Sequence, residues 1–224
     1  MKFNQALQVA REESFDIEKP EVSVVSISSE ITIIESLDGK CHIKIFADSE
    51  KAKSLAQLVE IIEEGKNLTV RVDKKHRSFW GLTDGGLHGL SVELSLPTTS
   101  NLSVKTVSGD IEINHSLSNL DVASVSGDVK ISQNSTENCT VKTVSGDIST
   151  HTFSACTYTL KSISGDIKVS VAPDLNIDVD GNSISGDLRS EISLDSGENS
   201  LPPENKVVKI TASTISGDFN LARN

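Results

Sequence analysis

The chain has 224 residues, a formal net charge of −11 and only 4% aromatic residues. So acidic a surface argues against nonspecific binding to nucleic acid or to anionic membranes, and no apolar run of about 18 residues is present to suggest a transmembrane helix. So few aromatics would make a thin globular core but suit the narrow interior of a stacked β structure.

Residues 1–20 are polar and charged and are expected to form an N-terminal arm; they contain no apolar h-region, so a secretory signal is not expected. Residues 21–98 read as a strand-rich part that caps the remainder of the chain. Val22–Ser28, Ile31–Ile34 and Cys41–Phe46 alternate apolar and polar residues as strands do, with a turn at Leu37-Asp-Gly-Lys. Ser49–Leu58 opens on a good N-cap and predicts one short helix. Val59–Ile62 and Leu68–Val72 predict two strands around the turn at Glu64–Asn67. The stretch 73–89 is the least regular, with Lys74-Lys-His-Arg77, Phe79-Trp80 and three glycines, Gly85, Gly86 and Gly89. Basic residues beside aromatics can contact phosphate or nucleic acid. The acidic overall charge and the lack of a phosphate-loop signature favour a solvated hairpin tip instead. Ser91–Leu96 is a strand ended by Pro97.

From residue 99 to 224 the chain repeats itself. Ser-Gly-Asp occurs six times, with its glycines at Gly109, Gly127, Gly146, Gly165, Gly186 and Gly217. Each copy lies in the frame Thr/Ser, Val/Ile, Ser-Gly-Asp, apolar. The spacings of 18, 19, 19, 21 and 31 mark a stacked repeat protein. The fold class is all-β: a right-handed parallel β-solenoid of about 18–21 residues per coil, each coil made of two or three short strands. Two columns are expected to point inward. One is Val107, Val125, Val144, Ile163, Ile184 and Ile215; the other is Ile111, Val129, Ile148, Ile167, Leu188 and Phe219. The chain must then bend near Lys105-Thr106, and the flanking hydroxyls, Thr106 with Ser108 and their counterparts, would form a flat outward array or be satisfied by corner backbone. The glycine marks either a position where only hydrogen fits or a positive φ. The polar segment 195–206 is an exposed loop insertion that accounts for the longest spacing.

Catalytic, cofactor and metal sites are all read as none. The five histidines (His42, His76, His88, His115 and His151) lack metal-ligand spacing and read as surface residues, and no serine lies in Gly-x-Ser-x-Gly. Cys41, Cys139 and Cys156 form no close pair, which suggests free thiols, a reducing compartment and hence the cytoplasm. Cys139 takes the strand position of Leu102 and Leu120 and should lie in the core. The six aspartates Asp110, Asp128, Asp147, Asp166, Asp187 and Asp218 should stack, and unit charges ~4.8 Å apart repel by about 0.9 kcal/mol even in water. Hydrogen bonds from corner amides would offset this. A row of Ca²⁺ ions is the alternative, but one Asp per coil supplies few ligands.

The Ser-Gly-Asp-Ile-type units, together with Glu13-Ser-Phe-Asp-Ile-Glu-Lys-Pro20, Val92-Glu-Leu-Ser-Leu-Pro97 and the closing Thr-Ile-Ser-Gly-Asp-Phe, resemble the putative-adhesin β-strand-repeat family, a bacterial domain of unknown function. The resemblance implies a β-solenoid without a known active site and suggests a regulatory or scaffolding role linked to cell-envelope stress. The function expected is a non-enzymatic binding or scaffold protein; the alternative is a Ca²⁺-stabilised structural protein built on the Asp column. Its partner, a protein or an envelope-associated molecule, should meet the outward repeat face, where Lys105, Lys142 and Lys161 lie. Neither nucleic-acid binding nor membrane insertion is expected. Homo-association is expected through the C-terminal edge at Phe219-Asn-Leu221.

Overall fold

The computed structural model describes residues 7–72, 89–134, 136–192 and 207–223. The described residues form two large sheets, one of ten strands and one of nine, and a single short helix. Most rungs of the stack contribute one strand to each sheet, so the coil is flattened and its core lies between the sheets.

The rungs at the centre are the repeats. They pair β8 (Asn101–Lys105) with β9 (Ile111–Ile113), β10 (Asn119–Ala123) with β11 (Val129–Asn134), β12 (Asn138–Lys142) with β13 (Ile148–Thr152), and β14 (Cys156–Lys161) with β15 (Ile167–Val171). In these four rungs the even-numbered strands run parallel in the nine-stranded sheet, sheet B, and the odd-numbered ones in the ten-stranded sheet, sheet A. Register aligns like with like: Leu102, Leu120, Cys139 and Tyr158 stack in sheet B, and Ile111, Val129, Ile148 and Ile167 in sheet A. All eight are buried, and each fully buried aliphatic contributes on the order of 1.5–3 kcal/mol.

At both ends the spatial order departs from chain order. After β15 the chain forms β16 (Asn176–Ser183) and β17 (Leu188–Ser190), then β18 (Val207–Thr214) and β19 (Phe219–Arg223). The last pair sits inside: β18 lies between β14 and β16, and β19 between β15 and β17. Phe219 is therefore 5% exposed and Leu188 52% exposed. This corrects the expected C-terminal edge. Phe219-Asn-Leu221 is an interior strand, and the edge belongs to β16 and β17. The Phe219 ring packs towards Gly181 of β16, where an added Cβ would lie 3.4 Å from it, in ordinary contact. The insertion expected at 195–206 lies outside the described residues.

The other end mirrors this. β2 (Glu21–Ser26) and β3 (Glu30–Glu35) form a rung lying directly on β8 and β9. Beneath it lie β6 (Asn67–Val72) and β7 (Leu90–Leu96), which come later in the chain. Residues 21–98 thus supply two rungs of the same stack as well as its cap. The hidden rung has a readable signal, since Ser26-Ile-Ser-Ser-Glu30 is a degenerate Thr106-Val-Ser-Gly-Asp110. Ser29 N–H donates to Ser26 Oγ at 3.0 Å, as Gly109 N–H donates to Thr106 Oγ1 at 3.2 Å.

The cap is antiparallel. β1 (Gln8–Phe15), from the segment expected to be an arm, pairs with β4 (Cys41–Ala47), which pairs with β7. β5 (Glu60–Glu64) pairs with β6. Helix α1 (Glu50–Ala56) is capped by Ser49, whose side chain accepts from the Ala52 amide, and it buries Ala52 and Ala56. Arg11 donates to the carbonyl of Val59 at 2.7 Å and to that of Ala56 at 3.5 Å, tying β1 to the helix end.

Candidate binding faces

Each repeat turns its corner on a hydroxyl. Gly127, Gly146, Gly165 and Gly217 donate their N–H to the side chains of Ser124, Thr143, Ser162 and Thr214, three residues upstream, at 2.7–3.0 Å. Those hydroxyl residues are buried. The inward alternation therefore runs on through Thr106, and the next residue is thrown outward. This reverses the expected orientation: Val107, Val125, Val144, Ile163 and Ile215 are 42–47% exposed, and Ile184, on the outermost rung, is 75% exposed. A buried hydroxyl that accepts from a corner amide is worth more inside than a valine that would leave that amide unpaired. Thr143→Val keeps the shape and removes the acceptor. It should cost about 1–3 kcal/mol in urea unfolding, whereas Ser145→Ala beside it should stay within about 0.5 kcal/mol.

The exposed serines are no free hydroxyl array. Ser126, Ser145, Ser164, Ser216 and Ser185 each place both N–H and Oγ on the carbonyl of the Val or Ile one rung away, with N···O distances of 2.8–2.9 Å and Oγ···O distances of 3.1–3.5 Å. The aspartates are likewise engaged. Asp128, Asp147, Asp166, Asp218 and Asp187 donate their N–H to Oδ1 of the neighbouring rung's Asp at 2.8–3.0 Å. Asp187, on the last rung, receives Arg189 instead of a further amide, at 2.7 Å. Corner amides thus stabilise the stacked carboxylates, as expected. Among the described residues no group of three His, Cys, Asp or Glu is placed to hold a metal ion.

What the corner presents is a ridge of β-branched side chains, repeated at the strand spacing of about 4.8 Å. Ile27 of the hidden rung extends it, half-buried. Beside the ridge runs the outer face of sheet B. Its nearest column holds Arg71, Val25, Lys105, Ala123, Lys142 and Lys161 in register. The middle column is Thr69, Ser23, Ser103, Asp121, Thr140, Thr159 and Thr211. The far column is an amide ladder. Asn138 donates to Asn119 at 3.1 Å, Asn119 to Asn101 at 2.8 Å, and Asn101 to Glu21 at 3.3 Å. Lys66 closes the ladder on Glu21 at 2.9 Å and holds its carboxyl below the usual range. A shallow groove of about 610 Å³ follows the middle and far columns.

The remaining sequence candidates lie apart from this face. His42 bridges Asp38 and Ser14 at 2.8 Å each, and with the Lys40 amide holds the Asp38 carboxyl well below its usual range. His115, expected at the surface, is 5% exposed, because its corner folds against β3 and β7; burial pushes its pKa down against the opposing pull of Glu35 and the Leu96 carbonyl. His151 is half-buried on β13. Cys41, Cys139 and Cys156 are free and buried, and burial pushes the Cys41 thiol up to about 11. His76, His88, Lys74–Arg77, Phe79-Trp80, Gly85 and Gly86 lie outside the described residues. Gly89 sits in a turn with φ +76°.

A family model described as Toastrack DUF4097 matches residues 20–155 and again 91–222. Among solved structures, the chain resembles a putative cell adhesion protein from Clostridium sporogenes at 11% identity and a TM-score of 0.56, covering 96% of this chain and 99% of that one. It also resembles a putative adhesin from Bacteroides fragilis at 15% identity and a TM-score of 0.50, covering 96% of each. At these identities the likeness is one of fold. No curated protein matches the chain.

Proposed function

The chain belongs to the Toastrack DUF4097 family, and on that footing we propose that it is a non-enzymatic binding module that engages an extended partner rung by rung. One observation carries the reading. The Ser-Gly-Asp corner exposes the same β-branched position on successive rungs, beside a column holding Lys105, Lys142 and Lys161. Aliphatic side chains repeatedly held out of the core, in one line, form the kind of apolar surface that marks an interaction site. Contacts spaced by the strand repeat add in register, so affinity grows with the number of rungs engaged. The partner fitting this face is a protein segment or envelope-associated polymer with an apolar line and acidic groups beside it. The reading keeps the cytoplasm as the compartment, supported by the free cysteines.

The test separates ridge from fold. Val125→Ser, Val144→Ser and Ile163→Ser combined should leave cooperative unfolding in place, because these positions are already half in water. Cross-linked partner recovered from native cells should fall sharply, and Lys142→Glu with Lys161→Glu should weaken it again. A partner retained at full yield by all five substitutions would place binding elsewhere.

A further inference from the structure

The two ends of the stack are finished differently. At the N-terminal end, α1, β4 and β1 close the core. At the other end nothing among the described residues covers β16, the last strand of sheet B. Its inward side chains Ile177 and Val179 are half-buried, whereas their register partners one rung inside, Val208 and Ile210, are buried at 0% and 2% exposure. Among the described residues, the eight residues of this strand thus have a strand neighbour on one side only. The facing strand in sheet A, β17, has three residues and offers no comparable ladder.

Such an edge normally carries a device against further pairing. Here the outward side chains are Asn176, Asp178, Asp180 and Asn182, all exposed. The acids select what can pair. In an antiparallel pair facing residues share a side of the sheet, so in a second copy these positions could meet only one another. The two most central registers set Asp178 against Asp180, or Asp180 against itself, and like charges directly opposite destabilise a pair. Two chains of net charge −11 repel in addition. The chain's own segment 193–206 contains Asp195, Glu198, Glu204 and the pair Pro202-Pro203, the wrong charge and a poor strand former.

We propose that the open end of the stack accepts an extended strand from another protein, in which apolar residues alternate with Lys or Arg, added to sheet B along β16. The apolar residues cover Ile177 and Val179. The basic residues meet Asp178 and Asp180. Main-chain hydrogen bonds supply affinity and the alternation supplies specificity.

The probe is a short capped peptide alternating Lys and Val, labelled for anisotropy and titrated into the full chain. It should bind, whereas a peptide with the same residues segregated into a Lys block and a Val block should not. Asp178→Lys with Asp180→Lys should weaken binding by about tenfold or more and admit a Glu/Val alternating peptide instead. Asp178→Asn with Asp180→Asn should fall between. These positions are exposed, so unchanged melting curves will show that the fold persists. Equal binding of the block peptide, equal binding by the Lys variant, or no binding at all would overturn the proposal. So would displacement by a peptide of residues 193–206. Sedimentation of the wild type as a dimer that the Lys substitutions alter would make a second copy the occupant, and the proposal would fail in that case too.

Discussion

Gly146→Ala is expected to cost at least about 3 kcal/mol, by steric conflict with backbone that cannot step aside. A Cβ there would run into the carbonyl oxygen of Gly127 on the neighbouring rung, and the carbonyl carbon would lie only 2.7 Å away. That carbonyl is fixed by the strands on either side of the corner, so relief would have to separate two rungs. The glycine is needed for close approach and not for its dihedral angles, since positive φ among the described glycines occurs only at Gly39, Gly65 and Gly89. Gly39 is the matching control. Its φ is +76° and nothing lies within 4 Å of an added Cβ. Asparagine tolerates that conformation, so Gly39→Asn should be nearly neutral in urea unfolding while Gly146→Asn should be as damaging as the alanine. A Gly146→Asn protein as stable as the wild type would mean that the rungs do not touch at this corner.

Phe219→Ala should cost about 3–5 kcal/mol, and Leu188→Ala less than about 1 kcal/mol. The two residues occupy equivalent positions in their repeats and are register partners across β17 and β19. Only the order of stacking separates them. Phe219 has a rung on either side and is nearly inaccessible, whereas Leu188 faces the end of the stack. If rungs stacked in chain order, the costs would be reversed. Thermal melts of the two single variants therefore decide the topology, and a larger loss at Leu188 would refute the tucked-in last rung.

The strands and the period were legible because a flattened coil writes itself twice, as alternation within a strand and as recurrence between rungs. Leu102 and Val104, then Ile111 and Ile113, carried both signals. Three features did not show. Parity is lost at a corner: between Val104 and Ile111 the residues do not alternate, so whether Thr106 or Val107 faced inward depended on the hydrogen bond to Gly109 N–H and not on hydropathy. Recurrence is also blind to order. Like rungs are interchangeable as neighbours, so the column of Val129, Ile148, Ile167, Phe219 and Leu188 reads the same whichever member is last. The spacing of 31 before Gly217 was the one trace of the reversal. The rung at Ser26–Glu30 escaped because Ser29 stands where the copies have glycine. The exposed ridge was named residue by residue in the sequence but assigned to the wrong side of the chain.

The tucked-in rung alters how the molecule would respond to tension. A strand at the rim of a sheet can be peeled away one hydrogen bond at a time, so a small force suffices. β19 has β15 along one side and β17 along the other, all parallel. Load entering through Arg223 must shear two ladders together, and it must also extract a guanidinium that bonds to the carbonyls of Ala172 and Leu175 at 2.7 Å each. β2, near the opposite end, is held the same way between β6 and β8. A tug-of-war applied through these two strands would therefore meet resistance spread over many bonds at once, and the coil would hold its length until it gave way as a block.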